Sequence, residues 1–343
     1  MTLTLLLLSC VLSWFITQQV LNRAHRIRLL HAPNHRSMHT QKTPHGGGIG
    51  IVIGMIPLGL WTLITQPFSQ ILYLASLALG LIIAIKGLID DMRPLSAKIR
   101  FGIQVAVCIL LLWALENLPI PPYNTITDLT PTLFFPLLVL AGVWWINLFN
   151  FMDGIDGLAG SQAIFMLVTA AVLILWQNPE HIETTTIRWM LVLAVAIFGF
   201  LLHNWAPARI FMGDVGSTFT AFMILFLALL TIRLGWLNYY TWLILGACFI
   251  TDTTYTLLYR LISGQKWWEA HRSHAYQRVT RHLKSHAKTV LGILTINLLW
   301  LAPLALLSLV FPHYGALLIV VAYLPLIITV RYLGAGQMEI VPK

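Results

Sequence analysis

Residues 68–91 read FSQILYLASLALGLIIAIKGLIDD. An α-helix needs about 20 mostly apolar residues to cross the hydrocarbon core of a bilayer, and residues 68–89 have that length and composition. Two adjacent carboxylates, Asp90 and Asp91, follow immediately. The stretch therefore predicts a transmembrane helix that carries acidic groups to one face of the membrane.

Comparable apolar runs recur along the whole chain, which is 58% hydrophobic and only 10% charged. A soluble domain carries about 25% charged residues, so the composition favours a membrane protein. Backbone in contact with lipid must satisfy its own hydrogen bonds, which favours helices over open strands. We predict an all-α, polytopic integral membrane helical bundle with about 11 transmembrane helices, in a single domain over residues 1–343. The predicted spans are 3–20, 46–65, 68–89, 101–119, 131–149, 158–176, 189–205, 216–234, 238–261, 290–311 and 314–332.

The basic residues predict the orientation of these spans. Cytoplasmic loops are enriched in Lys and Arg, and with the N-terminus outside only Arg188 and Arg233, of 21 Lys and Arg residues, fall near outside loops. The first apolar run is followed by Arg23, Arg26 and Arg28 and has no basic residue before it. It is therefore expected to remain as an uncleaved span. The net charge of +9 indicates contact with membrane lipids and anionic substrates rather than with nucleic acid.

The acidic pair at the end of the third span is the first candidate site. Asp90 and Asp91 are adjacent, and a divalent cation or a proton would relieve their mutual repulsion. The alternative is a solvated helix end whose carboxylates pair with Arg93, Lys98 or Arg100. The segment alone leaves both interpretations open.

The second candidate is the turn NLFNFMDGIDG at residues 147–157. Two Asp-Gly pairs three residues apart allow a tight turn that keeps Asp153 and Asp156 close. Two amides, Asn147 and Asn150, precede them. Such a turn can coordinate a metal or accept hydrogen bonds from a base or from ribose hydroxyls. Ordinary turn chemistry is the alternative, but four polar side chains between two apolar spans favour a site.

The third candidate is the segment from Asn204 to Ser217, where Gly213 and Gly216 flank Asp214 just before a span. A carboxylate in that position is a candidate metal ligand. The start of the following helix has free N–H groups that suit a phosphate. Ser217 could instead be an ordinary helix N-cap.

Two basic segments complete the candidate sites. His271 and His274 are three residues apart, so they could share one face of a helix and contact substrate. For the basic residues in 284–288, contact with lipid headgroups is the preferred interpretation over a role in a substrate site. In the first inside loop Lys42 precedes three glycines, residues 46–48, and could reach a phosphate. Tight helix packing explains the glycines equally well.

All of these groups fall on one membrane face under the topology derived from charge. Phosphoryl transfer requires mainly positioning, a divalent ion and charge neutralisation. Carboxylates for a metal, cations for phosphates and a Gly/Asn/Asp turn for a nucleoside would supply these requirements. The pattern therefore indicates a phosphoryl-transfer enzyme at the membrane surface.

The motifs and their order resemble those of the polyprenyl-phosphate N-acetylhexosamine-1-phosphate transferases, the MraY/WecA-like family. The resemblance covers nearly the whole chain, and its most specific parts are NFMDGIDGLAG at 150–160 and FMGDVGS at 211–217. It implies a magnesium-dependent transferase, with Mn²⁺ as an alternative ion. Such an enzyme moves a sugar 1-phosphate from a UDP-N-acetylhexosamine to undecaprenyl phosphate and releases UMP. A homodimer is compatible with the resemblance.

The resemblance also implies roles for individual residues. Asp90 and Asp91 match the essential acidic pair and are the expected catalytic residues, and Asp214 matches the magnesium ligand. Asp156 is expected near the uracil. The resemblance implies that substrate is bound by Lys42, Asn150, Asp153, Asp156 and Asn204. His271 and His274 are also expected to bind substrate, but this expectation comes from the sequence of their loop and not from the resemblance.

The histidine loop departs from the peptidoglycan branch of the family, which has three clustered histidines. Residues 271–278 read HRSHAYQR, so a muramoyl-pentapeptide substrate is not expected. The chain looks more like the branch that initiates O-antigen or another surface polysaccharide, as in lipopolysaccharide biosynthesis. A 6-deoxy sugar such as UDP-FucNAc or UDP-QuiNAc is then a candidate donor. The expected location is the bacterial cytoplasmic (inner) membrane, with the active site on cytoplasmic loops.

Two other functions compete with this prediction. A CDP-alcohol phosphotransferase also uses Asp-Gly motifs and a metal at a membrane face. Its signature requires an Ala-Arg pair soon after the first Asp-Gly, and residues 155–160 lack that pair. A secondary transporter places charged sites near the midplane, whereas Asp252 is the only acidic residue well inside a predicted span. Acidic groups at the ends of spans favour a surface reaction.

Overall fold

The protein is described by a computed structural model that covers residues 2–24, 29–31, 43–65, 71–116, 118–119, 131–266 and 271–338. Helices make up most of these ranges. In chain order they are α1 (Thr2–Arg23), α2 (Gly48–Gly54), α3 (Ile56–Thr65), α4 (Ile71–Met92), α5 (Ala97–Leu115), α6 (Pro131–Met152), α7 (Leu158–Gln177), α8 (Thr185–Asn204), α9 (Gly213–Arg233), α10 (Tyr239–Leu245), α11 (Ala247–Ile262), α12 (Ala275–Leu283), α13 (His286–Ile296), α14 (Ala302–Val310) and α15 (Gly315–Tyr332).

Three kinds of short element complete the fold. Two 3₁₀ turns (Pro179–Glu183 and Pro312–Tyr314) precede α8 and α15, and a π-helical segment (Asn297–Leu301) joins α13 to α14. Strands β1 (Leu30–His31) and β2 (Thr43–Pro44) form one antiparallel pair. The predicted all-α architecture is confirmed.

The number of membrane spans also agrees with the sequence. In the described ranges, ten helices or helix pairs are long and apolar enough to cross a membrane, and an eleventh span results if one sharply bent pair is counted as a single crossing. α2 and α3 together form one of these spans, and α13 and α14 another. The chain is therefore a multi-pass membrane protein of the predicted size.

The ninth span is broken near its middle. Residues 238–261 were expected to form one continuous helix, but α10 and α11 meet at Gly246 at an angle of 73°. A break frees backbone groups that lipid cannot satisfy. Here the Leu245 carbonyl accepts a hydrogen bond from Nε2 of Gln162 at 3.0 Å. Asn297, in the π-helical segment, in turn donates to Oε1 of Gln162 at 2.6 Å.

Side-chain caps explain where several spans begin earlier than expected. Ser96 accepts a hydrogen bond from the Ile99 amide and starts α5, and Thr184 does the same for Ile187 at the start of α8. Such caps satisfy N–H groups that the helix itself leaves unpaired. α9 also begins earlier, at Gly213, so the alternative in which Ser217 is an N-cap is wrong.

α9 lies at the centre of the bundle, and nearly all of it is buried. α4 runs antiparallel to α9, and two glycines allow the two helices to approach closely. A Cβ on Gly80 would lie 3.0 Å from the ring of Phe219, and one on Gly87 would lie 2.5 Å from the carbonyl oxygen of Asp214. The end of α4 therefore touches the start of α9, which brings Asp91 to the candidate metal ligand.

The glycine triplet at 46–48 serves helix packing. The amides of Gly47 and Gly48 donate to the carbonyls of Phe211 and Met212, both at 2.9 Å. A Cβ on Gly48 would overlap the backbone of Gly216. The packing interpretation of these glycines is confirmed, and the start of α2 supports the loop that leads into α9.

The orientation of the spans can be tested with single cysteines in a variant that lacks the three native ones. Glu180 and Lys284 are both exposed and belong to loops expected on opposite sides of the membrane. In intact cells an impermeant maleimide should label cysteine at 180, and cysteine at 284 should be labelled only after permeabilisation. Equal labelling of both positions in intact cells would contradict the predicted topology.

Candidate active site

Asp91 joins α4 to α9 through two hydrogen bonds. Its Oδ1 accepts from the Asp214 amide at 2.9 Å, and its Oδ2 accepts from the Val215 amide at 3.1 Å. Gly213 adopts φ +75°, and a Cβ there would lie 2.7 Å from Oδ2 of Asp91. The expectation that these N–H groups are free for a phosphate is therefore wrong. The carboxylate of Asp91 fills that position as the cap of α9.

Asp90 is held on two sides. Its Oδ1 accepts from the Leu95 amide at 2.7 Å, and its Oδ2 pairs with the Arg100 guanidinium at 3.2 Å. The Asp90 side chain is only 6% exposed, so the alternative of a solvated helix end is wrong. The pairing with Arg100 that this alternative included is present. The carboxyl of Asp90 also lies against that of Asp214.

Asn150 positions Asp214. Both hydrogens of its side-chain amide are used, because Nδ2 donates to Oδ1 of Asp214 and to Oγ of Ser217, each at 2.8 Å. Ser217 donates onward to the Gly213 carbonyl at 3.0 Å. The turn of the second motif and the helix start of the third are thus linked by direct contacts.

Asp153 completes the acidic group. Burial raises the pKa of Asp153 well above its usual value, and the negative charges of Asp214, Asp91 and Asp156 raise it further. These carboxyls therefore lie near one another in a poorly solvated place. A positive charge that entered the group would stabilise the ionised form of each.

The donor set of this group fits magnesium. Mg²⁺ prefers oxygen ligands and is commonly held by one or two carboxylates together with substrate phosphates and water. Among the described residues no three acidic, histidine or cysteine side chains form a ready-made metal cage. Asp91 uses both oxygens as a helix cap. Asp214, oriented by Asn150, is therefore the carboxylate best placed to be a ligand.

Asn204 connects the 153–157 turn to the loop before α9. Its Oδ1 accepts from the Gly157 amide at 3.0 Å, and its Nδ2 donates to the Ile210 carbonyl at 2.9 Å. Gly157 has φ +76°, a conformation that favours glycine. The amide of Asn204 thus holds together two segments of the site, and its expected contact with substrate remains a prediction.

Asp156 lies on the far side of the same turn. Its Oδ2 accepts from the Ala208 amide at 3.0 Å and lies 3.1 Å from Nδ1 of His286. His286 belongs to the stretch that was expected to contact lipid headgroups. For this histidine that expectation is wrong, because its ring packs against Asp156 at the start of α13. Proximity of Asp156 to uracil remains a prediction.

His271 and His274 meet in a loop, not on one face of a helix as expected. α12 starts at Ala275, so His274 is its N-cap. The two rings stack with centroids 4.9 Å apart. Nδ1 of His274 lies 3.2 Å from Oδ1 of Asp252, and Ser273 Oγ lies 2.9 Å from Nδ1 of His271. Both histidine rings are therefore held in place by contacts within the protein.

Asp252 holds the backbone that directly follows His274. Its Oδ1 accepts from the Ala275 amide at 3.0 Å and its Oδ2 from the Tyr276 amide at 2.8 Å. A carboxylate from the broken ninth span thus caps α12. Tyr276 then donates to the Phe151 carbonyl at 3.0 Å, which attaches the histidine loop to the end of α6.

Comparison with known proteins agrees with this geometry. The sequence model described as glycosyl transferase family 4 matches residues 73–232. The Bacillus subtilis (strain 168) protein named "Probable undecaprenyl-phosphate N-acetylglucosaminyl 1-phosphate transferase" is 30% identical over 289 residues, which are 83% of this chain and 79% of that protein. This chain belongs to glycosyl transferase family 4. The predicted MraY/WecA-like resemblance is confirmed.

Other relatives carry related names. The Escherichia coli O157:H7 "Undecaprenyl-phosphate alpha-N-acetylglucosaminyl 1-phosphate transferase" is 32% identical over 217 residues, or 61% of this chain, and the match spans only 56% of that protein. The Streptococcus mutans serotype c (strain ATCC 700610 / UA159) "Phospho-N-acetylmuramoyl-pentapeptide-transferase" is 26% identical over 318 residues, or 86% of this chain and 90% of that protein. Relatives named for N-acetylglucosaminyl 1-phosphate transfer and for phospho-N-acetylmuramoyl-pentapeptide transfer are thus both similar to this member.

The structure of this family 4 member brings together most of the residues singled out in its sequence. Lys42 lies outside the described residues, so its predicted phosphate contact stays a prediction. The described site residues form two groups. The acidic group contains Asp90, Asp91, Asn150, Asp153 and Asp214, and the histidine group contains His271, His274 and Asp252. Asn204 and Asp156 brace the turn beside the acidic group.

Sequence reasoning missed four residues of this family 4 site: Lys86, Asp252 as a cap, Tyr276 and His286. Lys86 is buried and close enough to Asp214, Asp90 and Asp91 to interact with their charges. An ionisable residue inside an apolar span requires a partner, and that signal could have identified Lys86 and the role of Asp252. No sequence pattern indicates the contacts of Tyr276 and His286.

The histidine loop of this family 4 member should make its stability depend on pH. Burial, followed by the positive charges of His274 and Arg260, lowers the pKa of His271 to about 3 from an ordinary 6.5. Between these values the unfolded chain binds a proton that the folded chain does not, so stability falls as the pH falls below 6.5. Wild type should therefore lose free energy of unfolding between pH 6.5 and pH 5. We expect His271→Phe to reduce this loss by up to about 1 kcal/mol, after discounting for solvent screening.

Thermal unfolding in detergent at the two pH values measures this effect. His282, which is exposed on α12, supplies the control substitution His282→Phe. The same loss of melting temperature on acidification in wild type and His271→Phe would contradict the prediction.

Proposed function

We propose that this protein transfers an N-acetylhexosamine 1-phosphate from a UDP-sugar to undecaprenyl phosphate and releases UMP. The observation that carries the proposal is the acidic group, in which three motifs distant in sequence share direct hydrogen bonds between Asp91, Asn150 and Asp214. Family membership and the names of the relatives support the same reaction. A bundle that spans the membrane many times also suits a lipid-linked acceptor.

Magnesium, with manganese as a substitute, is proposed as the cofactor. Bound at Asp214, it would neutralise diphosphate charge and hold the phosphates in place. The chain contributes the orientation: Asn150 fixes one oxygen of Asp214, and Asp91 fixes the helix turn that carries it.

The proposed reaction is a single displacement. A lipid-phosphate oxygen attacks the β-phosphorus of the UDP-sugar, the new phosphorus–oxygen bond forms, and the bond from that phosphorus to the bridging oxygen breaks, so UMP leaves with the electron pair. A phosphate monoester, with a second pKa of about 6, is largely ionised at neutral pH. Asp90 would hold the acceptor phosphate in line or take its remaining proton. Asp91 would keep its place at the start of α9.

The alternative is a covalent route in which a carboxylate attacks first. The hydrogen bonds of the acidic pair argue against it. Both oxygens of Asp90 accept from Leu95 and Arg100, and both oxygens of Asp91 accept amide hydrogens of α9. A nucleophilic attack by either would give up such a bond, while the acceptor phosphate carries its own negative charge.

The two routes differ when lipid is absent. We expect enzyme mixed with UDP-sugar and Mg²⁺ alone to release no stoichiometric UMP and to incorporate no labelled UMP into UDP-sugar. Addition of undecaprenyl phosphate should then start UMP release, which serves as the control for active enzyme. A burst approaching one UMP per enzyme without lipid, lost in Asp90→Asn, would establish the covalent route.

The donor sugar is proposed to be a UDP-N-acetylhexosamine of the surface-polysaccharide type, including 6-deoxy sugars such as UDP-FucNAc and UDP-QuiNAc. Support comes from HRSHAYQR at residues 271–278, which lacks the three-histidine cluster of the peptidoglycan branch. An O-antigen or lipopolysaccharide pathway and an inner-membrane location with a cytoplasm-facing site follow as parts of this proposal. The distribution of basic residues supports that orientation.

One assay tests the reaction and the donor together. Purified protein is incubated with undecaprenyl phosphate, Mg²⁺ and one UDP-sugar at a time, including UDP-GlcNAc, the two 6-deoxy donors and UDP-MurNAc-pentapeptide. We expect UMP and a lipid-linked sugar with at least one N-acetylhexosamine donor. No product from any of these donors, with protein that remains folded, would overturn the proposal. Product from the muramoyl donor alone would overturn the surface-polysaccharide assignment.

The alternative of a secondary transporter loses its main support. Asp252, the acidic residue well inside a predicted span, accepts two amide hydrogens of α12 and pairs with His274. Its charge is therefore used to build the loop.

A further inference from the structure

A short segment after α15 folds back onto the histidine loop. It comprises residues 333–337, which read LGAGQ, and is called the strap. A segment outside the helices commonly lies exposed on the surface, yet Gly334, Ala335 and Gly336 are buried. Gly334 has φ +70° and Gly336 has φ +81°, a conformation that favours glycine. The strap is therefore a turn of defined shape packed against the rest of the protein.

The central contact of the strap is with the peptide bond between the two parts of the histidine loop. The Gly336 amide donates to the Ser273 carbonyl at 2.9 Å. The amide on the other side of that peptide bond, that of His274, donates to Oε1 of Gln277 at 3.3 Å. Because a peptide unit is planar, these two hydrogen bonds fix its orientation. Ser273 Oγ also lies 2.9 Å from Nδ1 of His271, so the strap holds the backbone between the two histidines.

Two further hydrogen bonds attach the strap to the segments on either side of this loop. The Gly336 carbonyl accepts from Nε2 of Gln265 at 3.2 Å, just after α11. The Gln337 carbonyl accepts from Nη2 of Arg278 at 2.6 Å, within α12. The strap thus joins the end of α11, the histidine loop and α12.

Packing leaves no space for a side chain at Gly336. A Cβ there would lie 2.7 Å from the ring of Tyr259 and 3.0 Å from the carbonyl oxygen of Thr256, both in α11. The neighbouring Ala335 is 1% exposed and packs in one cluster with Ala275, the first residue of α12. Glycine is therefore required at position 336 by both backbone conformation and space.

We infer that the strap is a positioning element of the active site, which sets the place of His271 and His274 and thereby the fit of the donor sugar 1-phosphate. Asp252 holds the loop from α11, and the strap holds it from the end of α15 through the backbone of Gly336 and Gln337. Only the effect on the donor rests on the proposed function.

A cysteine under the strap reports whether it covers the loop. Ala275 is 4% exposed, and Ala275→Cys is introduced in a variant that lacks the three native cysteines. In Gly336→Ala the rate of maleimide labelling at position 275 should rise roughly tenfold, because backbone strain and overlap favour the undocked strap. Gly235→Ala is the matched control, since Gly235 has φ +71° and a Cβ there meets nothing within 4 Å. It should leave the rate unchanged.

A second reporter distinguishes release of the strap from unfolding of α12. Thr280 lies in α12, is 2% exposed and accepts no contact from the strap, because its Oγ1 bonds to Thr289 and to the Tyr276 carbonyl. Labelling of Thr280→Cys should therefore stay equally slow with and without Gly336→Ala.

Steady-state kinetics test the positioning role. In the chain with its native cysteines, Gly336→Ala should raise KM for UDP-sugar roughly tenfold, since misplaced binding groups cost affinity for the donor. KM for undecaprenyl phosphate should stay unchanged. A merely structural loss would lower the amount of active enzyme, and so the apparent kcat, without a change in either KM.

The outcomes separate the strap from the reaction. Equal labelling of Ala275→Cys with and without Gly336→Ala would overturn the inference, because the strap would not be holding the loop through Gly336. Faster labelling at position 275 with an unchanged KM for UDP-sugar would overturn the positioning role. If wild type transfers no sugar from any donor, the proposed function has failed, and the labelling rates still decide whether the strap holds the histidine loop.

Discussion

Asp214→Asn is expected to abolish turnover, with a fall in kcat of about 10³-fold or more, because removal of one group that stabilises transition-state charge has effects of that size. The substitution removes the carboxylate best placed to hold a divalent ion. It leaves an oxygen that can still accept the hydrogen bond from Asn150, which Asp214 now accepts at 2.8 Å. The protein should therefore remain folded in detergent while Mg²⁺-dependent binding of UDP-sugar is lost.

Three measurements check this expectation: turnover, UDP-sugar binding with and without Mg²⁺, and the melting temperature in EDTA. Glu180→Gln, at an exposed carboxylate in the 3₁₀ turn before α8, is the control and should behave as wild type. Mg²⁺-dependent binding of UDP-sugar that survives in Asp214→Asn would remove Asp214 from the metal site.

Asp91→Ala is expected to have the second largest effect, because it removes a helix cap and an acidic side chain of the site at once. The amides of Asp214 and Val215 would lose the acceptors that they now have at 2.9 and 3.1 Å. Loss of a cap and of buried hydrogen-bond acceptors should lower the free energy of unfolding by about 2–4 kcal/mol. Turnover should fall by about 10²-fold or more, since Asp214 would no longer be held in place.

Asp91→Asn separates the two roles. The asparagine keeps one oxygen for one of the two amides and lacks the charge that favours the positive end of α9. It should therefore recover part of the stability but little of the activity. The melting temperatures and kcat values of both variants measure this. An Asp91→Ala protein as stable as wild type would show that the cap contributes nothing to stability.

The membrane spans could be predicted from the sequence because the requirement for them is local. A run of about 20 apolar residues is long enough to cross the bilayer whatever the rest of the chain does. Stretches such as 68–89 and 158–176 meet that requirement by themselves. The motifs that end in Asp91 and Asp214 could likewise be singled out, and they carried the family resemblance that the comparisons confirm.

The partners of these residues could not be predicted, because hydrogen bonds join groups that are far apart in the chain. Asp91 and the Asp214 amide are 123 residues apart in sequence, and Gln162 and Asn297 are 135 apart. The first contact turned an expected phosphate site into a helix cap. The second supports a break at Gly246 in a span expected to be continuous.

The sequence by itself therefore determined that the chain crosses the membrane many times, which residues carry the polar chemistry and which family it belongs to. Apolar length and motif order are properties of short segments, and they persist in any arrangement of the helices. Only the tertiary structure decided that Asp91 caps α9, that Asn150 orients Asp214 and that Lys86 is buried in the bundle. Those relations depend on how closely α4, α6 and α9 pack, and glycines such as Gly87 allow that approach only once the helices are side by side.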